Sequence, residues 1–413
     1  MTGSVADKIP PRDNKGAPRA ISSVRLNLGK DLEANSALPL VMLWSLTSLL
    51  TGFGLLMVLS SSSIISFVEE QGFFGGFARQ AIYTLIGIPL MIFAARMPIA
   101  FWKKLAWIFL GVGILLQLLV FTPLGIEEWG NRNWLRLGPI SMQPSEFLKI
   151  ALIVWMGTVL LVKEKLIHRT IHALIPAIIP GAALALGLVL LGQDLGTAMV
   201  MFAIVIAVMF FAEADWKAIL LVILVSATVA IFLLVTSPNR MRRLFGLIGE
   251  GEDYSGHDWQ PLHGIWALAG GGLFGSGLGG SKAKWSWLPA ADNDYIFAII
   301  GEEFGLIGTI AVILIYVLLA FAMVRAMRIA RDRFGRAVIG GVMVWIVGQA
   351  FLNIAVVVRL LPVIGVPLPF ISSGGTALIA NLIAMGIVIS ITRDGLEARR
   401  IQNHLHRKKA RKA

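Results

Sequence analysis

The chain has no cysteine among its 413 residues, which excludes disulfide staples and thiolate metal centres. Its six histidines are not clustered at ligand spacing, so a built-in zinc or haem site is not expected. Charge is also scarce. Only 15% of residues are Asp, Glu, Lys or Arg, against roughly a quarter in soluble domains. The first 37 residues lack the short apolar run and small-residue cleavage site of a signal peptide. Being polar, with scattered Lys and Arg, they are expected to form a disordered basic cytoplasmic tail.

What is present is apolar: 57% of residues are hydrophobic and the mean hydropathy is +0.79. The apolar residues come in segments near the ~20 residues a helix needs to cross a bilayer, too long for the strands of a membrane barrel. In lipid, backbone polar groups must be satisfied within the helices themselves. The expected fold is therefore an all-α integral membrane protein, a polytopic bundle of about ten transmembrane helices with a large extracytoplasmic loop. The spans lie near 38–60, 76–96, 104–122, 145–162, 171–191, 195–212, 217–236, 295–324, 337–358 and 375–392. The organisation that follows is a tail over 1–37, a transmembrane domain over 38–393 with its long loop at 237–294, and a basic tail over 394–413.

The net charge of +12 invites a nucleic-acid reading, but the basic residues sit mainly in the tails and alternate loops, which is a topology signal. Arg96, Lys103, Lys104, Lys163, Lys165, Arg169, the run from Arg325 to Arg336 and the C-terminal Arg407 to Lys412 fall on one side. The positive-inside rule makes that side cytoplasmic. Both termini then lie inside, the segments 123–144 and 237–294 face outward, and no nucleic-acid partner is expected. Trp259, Trp266, Trp285 and Trp287 argue against disorder in the long loop; resting on the outer leaflet as amphipathic helices is its simplest role.

Ionisable residues at membrane depth are costly, which makes them functional candidates. Arg132, Glu146 and Lys149 lie around the start of the fourth span. Glu146 and Lys149 share a helix face, so an internal ion pair is the plain alternative to a binding role. Asp194 has the position and chemistry of an N-cap for the sixth span. The long loop opens with Arg240, Arg242 and Arg243, carries Lys282 and Lys284, and ends at Asp292, Asn293 and Asp294. Arginine forks match phosphate geometry, and a carboxylate facing them could act as general base beside a phosphorylated substrate. Glu302 and Glu303 follow inside an apolar span and need a cation or hydrogen-bond partners. Finally, three prolines and three glycines between Leu361 and Gly375 mark irregular backbone, tolerated at membrane depth only where protein or a wet cavity surrounds it.

These residues carry a resemblance. Arg132 to Lys149 with its Gln143-Pro144-Ser145-Glu146 core, Asp194-Leu195-Gly196-Thr197, Leu288 through Glu303 with Asp294-Tyr295-Ile296-Phe297, and Pro367 to Ser372 resemble, in order and spacing, the SEDS family (shape, elongation, division and sporulation) of membrane peptidoglycan polymerases. Met57 to Ser63 looks more like the division branch than the elongation branch. The resemblance implies polymerisation of lipid II at the outer face of the bacterial cytoplasmic membrane during cell division, with release of undecaprenyl pyrophosphate. The family's essential acid maps onto Asp294, which would take the acceptor hydroxyl proton in an inverting transfer. Arg132, Lys149, Arg240, Arg242 or Arg243 would stabilise the leaving pyrophosphate, with or without a divalent cation such as Mg2+ or Mn2+. Glu146, Asp292 and Ser372 complete the implied substrate-binding set. The implied partners are lipid II, a class B penicillin-binding protein supplying the transpeptidase, and other membrane proteins of the division machinery.

The chain departs from the family pattern at Gly192-Gln193, at Asp292 where histidine is frequent, at Arg359 and at Ser373. Asp292 would raise the proton affinity of Asp294 or share a cation with it. A lipid II flippase, an elongation polymerase, a secondary transporter with broken helices and a non-catalytic division scaffold remain the competing readings of the residues.

Overall fold

The computed structural model describes residues 37–68, 72–128, 131–138, 140–248, 258–285 and 287–410. The N-terminal tail up to residue 36 and the last three basic-tail residues lie outside them. The helices are α1 (Leu38–Val68), α2 (Gly75–Arg96), α3 (Ile99–Leu119), α4 (Pro144–Val162), α5 (Thr170–Ile178), α6 (Gly181–Leu191), α7 (Leu195–Phe211) and α8 (Trp216–Val235). They continue with α9 (Pro238–Ile248), α10 (Trp259–Gly270), α11 (Ile296–Ile329), α12 (Arg333–Met343), α13 (Gln349–Val357) and α14 (Gly375–Ala410). A π turn, Val344–Gly348, joins α12 to α13 within one span.

Every expected span falls on helix, but the count of ten is not reproduced. Eight helices have the length and apolar character to cross a bilayer, and a bent pair makes nine. That pair is α5 and α6, which meet at 50° where Pro180 cannot continue a helix. Helix α7 has 17 residues, about 25 Å at 1.5 Å per residue, short of a ~30 Å hydrocarbon core. Helix α14 continues without a break from the last expected span through the basic segment to Ala410.

Burial follows lipid solvation. Helix α8 leaves Leu220, Leu221, Leu224 and Phe232 exposed, as suits a helix facing hydrocarbon rather than water. Helix α14 is the opposite: it packs most extensively along α2. Gly386 lets this happen, since a Cβ there would lie 2.4 Å from the Met91 carbonyl oxygen; small residues permit such close approach in membranes. At one end of the bundle, Arg333 pairs with Glu164 and Glu213, and Lys103 with Asp332. The other end carries the long loop and one element that helix periodicity did not foresee. Strands β1 (Gly125–Glu128), β2 (Asn131–Leu137) and β3 (Ile140–Met142) form an antiparallel meander in the 123–144 segment. Ladder bonds satisfy that segment's backbone groups as helices do elsewhere.

Helix α11 is broken. Gly305 adopts φ 65° and ψ −163°, a conformation essentially restricted to glycine, and residues 271–277 lie across the gap. The Ser276 and Gly277 amides donate to the Glu302 and Glu303 carbonyls at 2.9 and 3.0 Å, while the Leu306 and Ile307 amides donate to Gly272 and Leu273 at 2.9 and 3.3 Å. The long loop thus replaces the helical bonds that the break removes. A Cβ on Gly305 would lie 2.5 Å from the backbone of Leu273 and Gly275. Gly305→Ala is accordingly expected to cost about 3 kcal/mol or more, read as a lower melting temperature of the detergent-solubilised protein and earlier proteolysis in 271–285.

Candidate active site

Asp294 lies in the turns just before α11, where the backbone is held from several directions. Asn353 of α13 donates through Nδ2 to the Asp294 carbonyl at 2.7 Å and to the Val366 carbonyl at 2.8 Å. Ser372 donates through Oγ to the Asn293 carbonyl at 2.7 Å and accepts from the Leu368 amide at 2.8 Å. The Ser373 amide donates to the Asp292 carbonyl at 2.8 Å. The irregular Leu361–Gly375 segment is largely buried from Val366 to Ser372 and exposed at Leu361 and Gly365, and it packs against residues 292–294. Gly365, at φ 67°, brings its backbone against the acid: a Cβ there would sit 3.6 Å from Asp294 Oδ2.

Helix α10 supports the same turn from the loop side. Trp259 Nε1 donates to the Trp287 carbonyl at 2.9 Å and Gln260 Nε2 to the Pro289 carbonyl at 3.0 Å. Trp259 and Trp287 stack with ring centres 6.2 Å apart, and His263 lies 3.9 Å from Trp259. Tyr295 is fully buried beneath Gly264 of α10, whose Cβ would meet the ring at 2.6 Å. Trp259 and Trp287 thus tie α10 to the turns before Asp294, while Trp266 and Trp285 are exposed.

Two arginines of α9 reach separate segments. Arg240 donates to the Leu233 and Gln193 carbonyls at 3.0 and 3.1 Å, and Arg243 donates to the Val363 carbonyl at 3.2 Å; Arg242 is exposed. Helix α9 therefore spans the two non-helical segments at Gln193 and Val363. Asp294 is half-buried. Desolvation, reinforced by the like charges of Asp292 and Asp194 and opposed by Arg243, pushes its carboxyl up to about 6. The Arg240 guanidinium is pushed the other way, mainly by burial and then by Arg243.

Other sequence candidates have structural partners. Glu146 and Lys149 are buried and paired at 2.8 Å; Lys149 also reaches Gln349 at 3.4 Å and lies 4.6 Å over the Trp345 ring. Gln349 Nε2 in turn donates to the Pro367 carbonyl at 2.8 Å, so this pair braces the irregular segment from below. Arg132 donates to the Thr122 carbonyl at 2.8 Å, in the turn between α3 and β1. Asp194 caps α7 by accepting from the Thr197 amide at 2.9 Å, and its second oxygen collects Asn133, Gln143 and Thr197 Oγ1 at 2.8–3.0 Å. Both oxygens of Glu302 and Oε1 of Glu303 have partners, described below, while Glu303 Oε2 is buried without a hydrogen bond. Gln349 and Asn353 were not singled out from the sequence, although two amides four residues apart in an apolar run carry the signal of a buried polar stripe.

The comparisons agree with this architecture. The Cell cycle protein family model covering FtsW, RodA and SpoVE matches residues 40–396. A Geobacter metallireducens protein named probable peptidoglycan glycosyltransferase FtsW is 35% identical over 369 residues, covering 89% of this chain and 97% of its own length. The Mycobacterium tuberculosis protein of the same name is 34% identical over 355 residues, covering 86% and 68%. Stage V sporulation protein E of Bacillus subtilis is 33% identical over 357 residues, covering 86% and 97%. Among solved structures, a chain from work on polymerization and crosslinking by a peptidoglycan synthase complex matches with TM-score 0.69 at 24% identity, over 86% of this chain and 97% of that one. Thermus thermophilus rod shape determining protein RodA matches with TM-score 0.62 at 22% identity, over 85% and 96%. At those identities the structural likeness establishes the fold, and together with the sequence matches it places this chain in the FtsW/RodA/SpoVE family of multi-pass membrane proteins.

Proposed function

We propose that this chain, a peptidoglycan glycosyltransferase of cell division, joins lipid II units at the outer face of the cytoplasmic membrane with Asp294 as general base. The observation that carries this reading is a half-buried carboxylate whose proton affinity is raised to about 6 with Arg243 of α9 close enough to oppose that rise, on a turn whose backbone is held by Asn353, Ser372 and Ser373. The acceptor sugar's 4-hydroxyl attacks the donor's anomeric carbon. The O–H proton passes to Asp294, the new glycosidic bond forms with inversion, and the anomeric C–O bond breaks with its electron pair leaving on undecaprenyl pyrophosphate. The guanidiniums of α9 stabilise the charge that develops on this leaving group. In this arrangement both termini are cytoplasmic and a class B penicillin-binding protein supplies the crosslinking activity.

Among the described residues no group of three or more His, Asp or Glu side chains converges. Asp292 and Asp294 supply two carboxylates, a set that suits Mg2+ or Mn2+ when substrate phosphates complete the coordination. Bound there, such an ion would neutralise diphosphate charge.

The direct test is polymerisation of purified lipid II by the protein alone and with its cognate class B partner. Glycan polymer in either condition supports a transferase; lipid II translocation without polymer in both would point to a flippase. The pH profile tests the assignment of the base. A base must be ionised, so kcat/KM is expected to rise with pH through a midpoint near 6. Asp292→Asn removes a like charge, lowers the proton affinity of Asp294 and moves that midpoint to lower pH. Arg243→Gln removes an opposing cation and moves it up. A midpoint indifferent to both substitutions would disconnect the profile from Asp294.

A further inference from the structure

The mechanism above uses neither Lys284, Glu303 nor Ser60, yet these three form a buried charged cluster. Lys284 Nζ lies 3.1 Å from Glu303 Oε1, and both side chains are at most 4% exposed. Ser60 Oγ, from the serine run of α1, donates to the same carboxylate oxygen at 2.6 Å and accepts from Lys284 Nζ at 3.1 Å. The third ammonium donor goes to the Gly279 carbonyl at 2.8 Å. Beside the cluster, the Glu302 carboxylate accepts from the Lys282 and Ala283 amides at 2.9 and 3.2 Å and from the Ser281 hydroxyl.

The placement along the chain gives this cluster its meaning. Asp294 lies midway between Lys284 and Glu303 in sequence, so the ion pair closes the segment, loop up to Tyr295 and helix from Ile296, that carries the catalytic carboxylate. Ser60 ties that closure to α1, an element remote in sequence from the rest of the site. On one side of the staple, residues 271–277 already bridge the break in α11.

We infer that Lys284 is a positioning residue for the glycosyl transfer: its buried pairing with Glu303 and Ser60 staples the loop before α11 onto the last residues of that helix ahead of its break at Gly305, and so fixes where Asp294 stands. An apolar pair of similar volume would fill this space at comparable or lower free energy, so stability alone does not call for two ions. The pair instead ties one ammonium to one carboxylate and so selects a single register of loop on helix. A shift of about 1 Å at a reacting group is enough to cost ~10²-fold in rate.

The inference rests on Asp294 being the base, and the test separates the two claims. Backbone hydrogen exchange at Ser276, Gly277, Lys282 and Ala283 would be followed in the full-length protein in nanodiscs, alongside lipid II polymerisation. Lys284→Met is expected to speed exchange at these amides and lower kcat about tenfold or more, with KM for lipid II within about twofold. Lys284→Met combined with Glu303→Gln strands no charge and is expected to restore both slow exchange and most of kcat. Ser60→Ala, which leaves the ion pair in place, should show the same signature at smaller amplitude and serves if Lys284→Met does not fold. Faster exchange with unchanged kcat, or unchanged exchange in both Lys284→Met and Ser60→Ala, overturns the inference. So does restored exchange without restored kcat in the double variant, because Lys284 would then act on substrate directly. If Asp294→Asn keeps its activity while the exchange results hold, the base assignment fails and the staple stands.

Discussion

Asp294→Asn is expected to lower lipid II polymerisation by about 10²–10⁴-fold, the usual contribution of a positioned general base, while leaving the fold intact. The amide has the shape of the carboxylate, and the contacts that hold residues 292–294 reach backbone carbonyls: Asn353 to Asp294, Ser372 to Asn293 and Ser373 to Asp292. Stability should move opposite to activity. Folding raises the proton affinity of Asp294 to about 6, so the folded state favours the protonated acid and loses stability as pH rises from the ordinary carboxylate range through that value. At pH 7 the ionised group opposes folding by on the order of 1–3 kcal/mol, and asparagine removes this. The variant should therefore melt no lower than the wild type in detergent while making almost no polymer. Equal polymer from both would reassign the base to Asp292 or Glu146.

Lys149→Met is expected to have the largest effect on stability. The ammonium is 1% exposed and paired with an equally buried Glu146. Removing one partner of such a pair leaves an uncompensated charge, at a cost of about 3–5 kcal/mol. The same change withdraws the contact to Gln349, whose amide holds the Pro367 carbonyl, so the irregular segment packed against residues 292–294 loosens as well. Glu146→Gln combined with Lys149→Met leaves no stranded charge and should recover most of the melting temperature. Activity of that double variant then separates two roles. Recovered polymerisation means the pair braces the site; a stable but inactive protein means Lys149 or Glu146 acts on the substrate.

Much of this protein is legible along the chain because lipid imposes a simple rule. A spanning helix must be apolar for about twenty residues, and all ten expected segments fall on helices, although 171–191 is bent at Pro180 and 295–324 is broken at Gly305. The small sheet at 125–142 was not legible, since its strands are short and its polar residues carry neither helical nor membrane periodicity. The break at Gly305 was hidden for a related reason: Gly301, Gly305 and Gly308 follow one another inside one span, nothing along the chain marks the middle one as the break, and only the loop amides lying across the gap make it stable.

The site divides in the same way. Residue type and spacing brought out the acids at 292 and 294, the α9 arginines, the Asp194 cap and the Glu146–Lys149 pair, and the family resemblance singled out Asp294 among the acids. Their interplay was decided only by tertiary structure. Lys149 and Arg132 were grouped with the α9 arginines as cations for a leaving diphosphate, yet the fold pairs Lys149 with Glu146 and turns Arg132 onto the Thr122 carbonyl. Lys284 looked like one more basic residue of an outward loop, and packing buried it against Glu303 and Ser60. A sequence records which groups are costly to bury; which partner satisfies each is set by side chains hundreds of residues apart, brought within hydrogen-bond distance only when the helices pack.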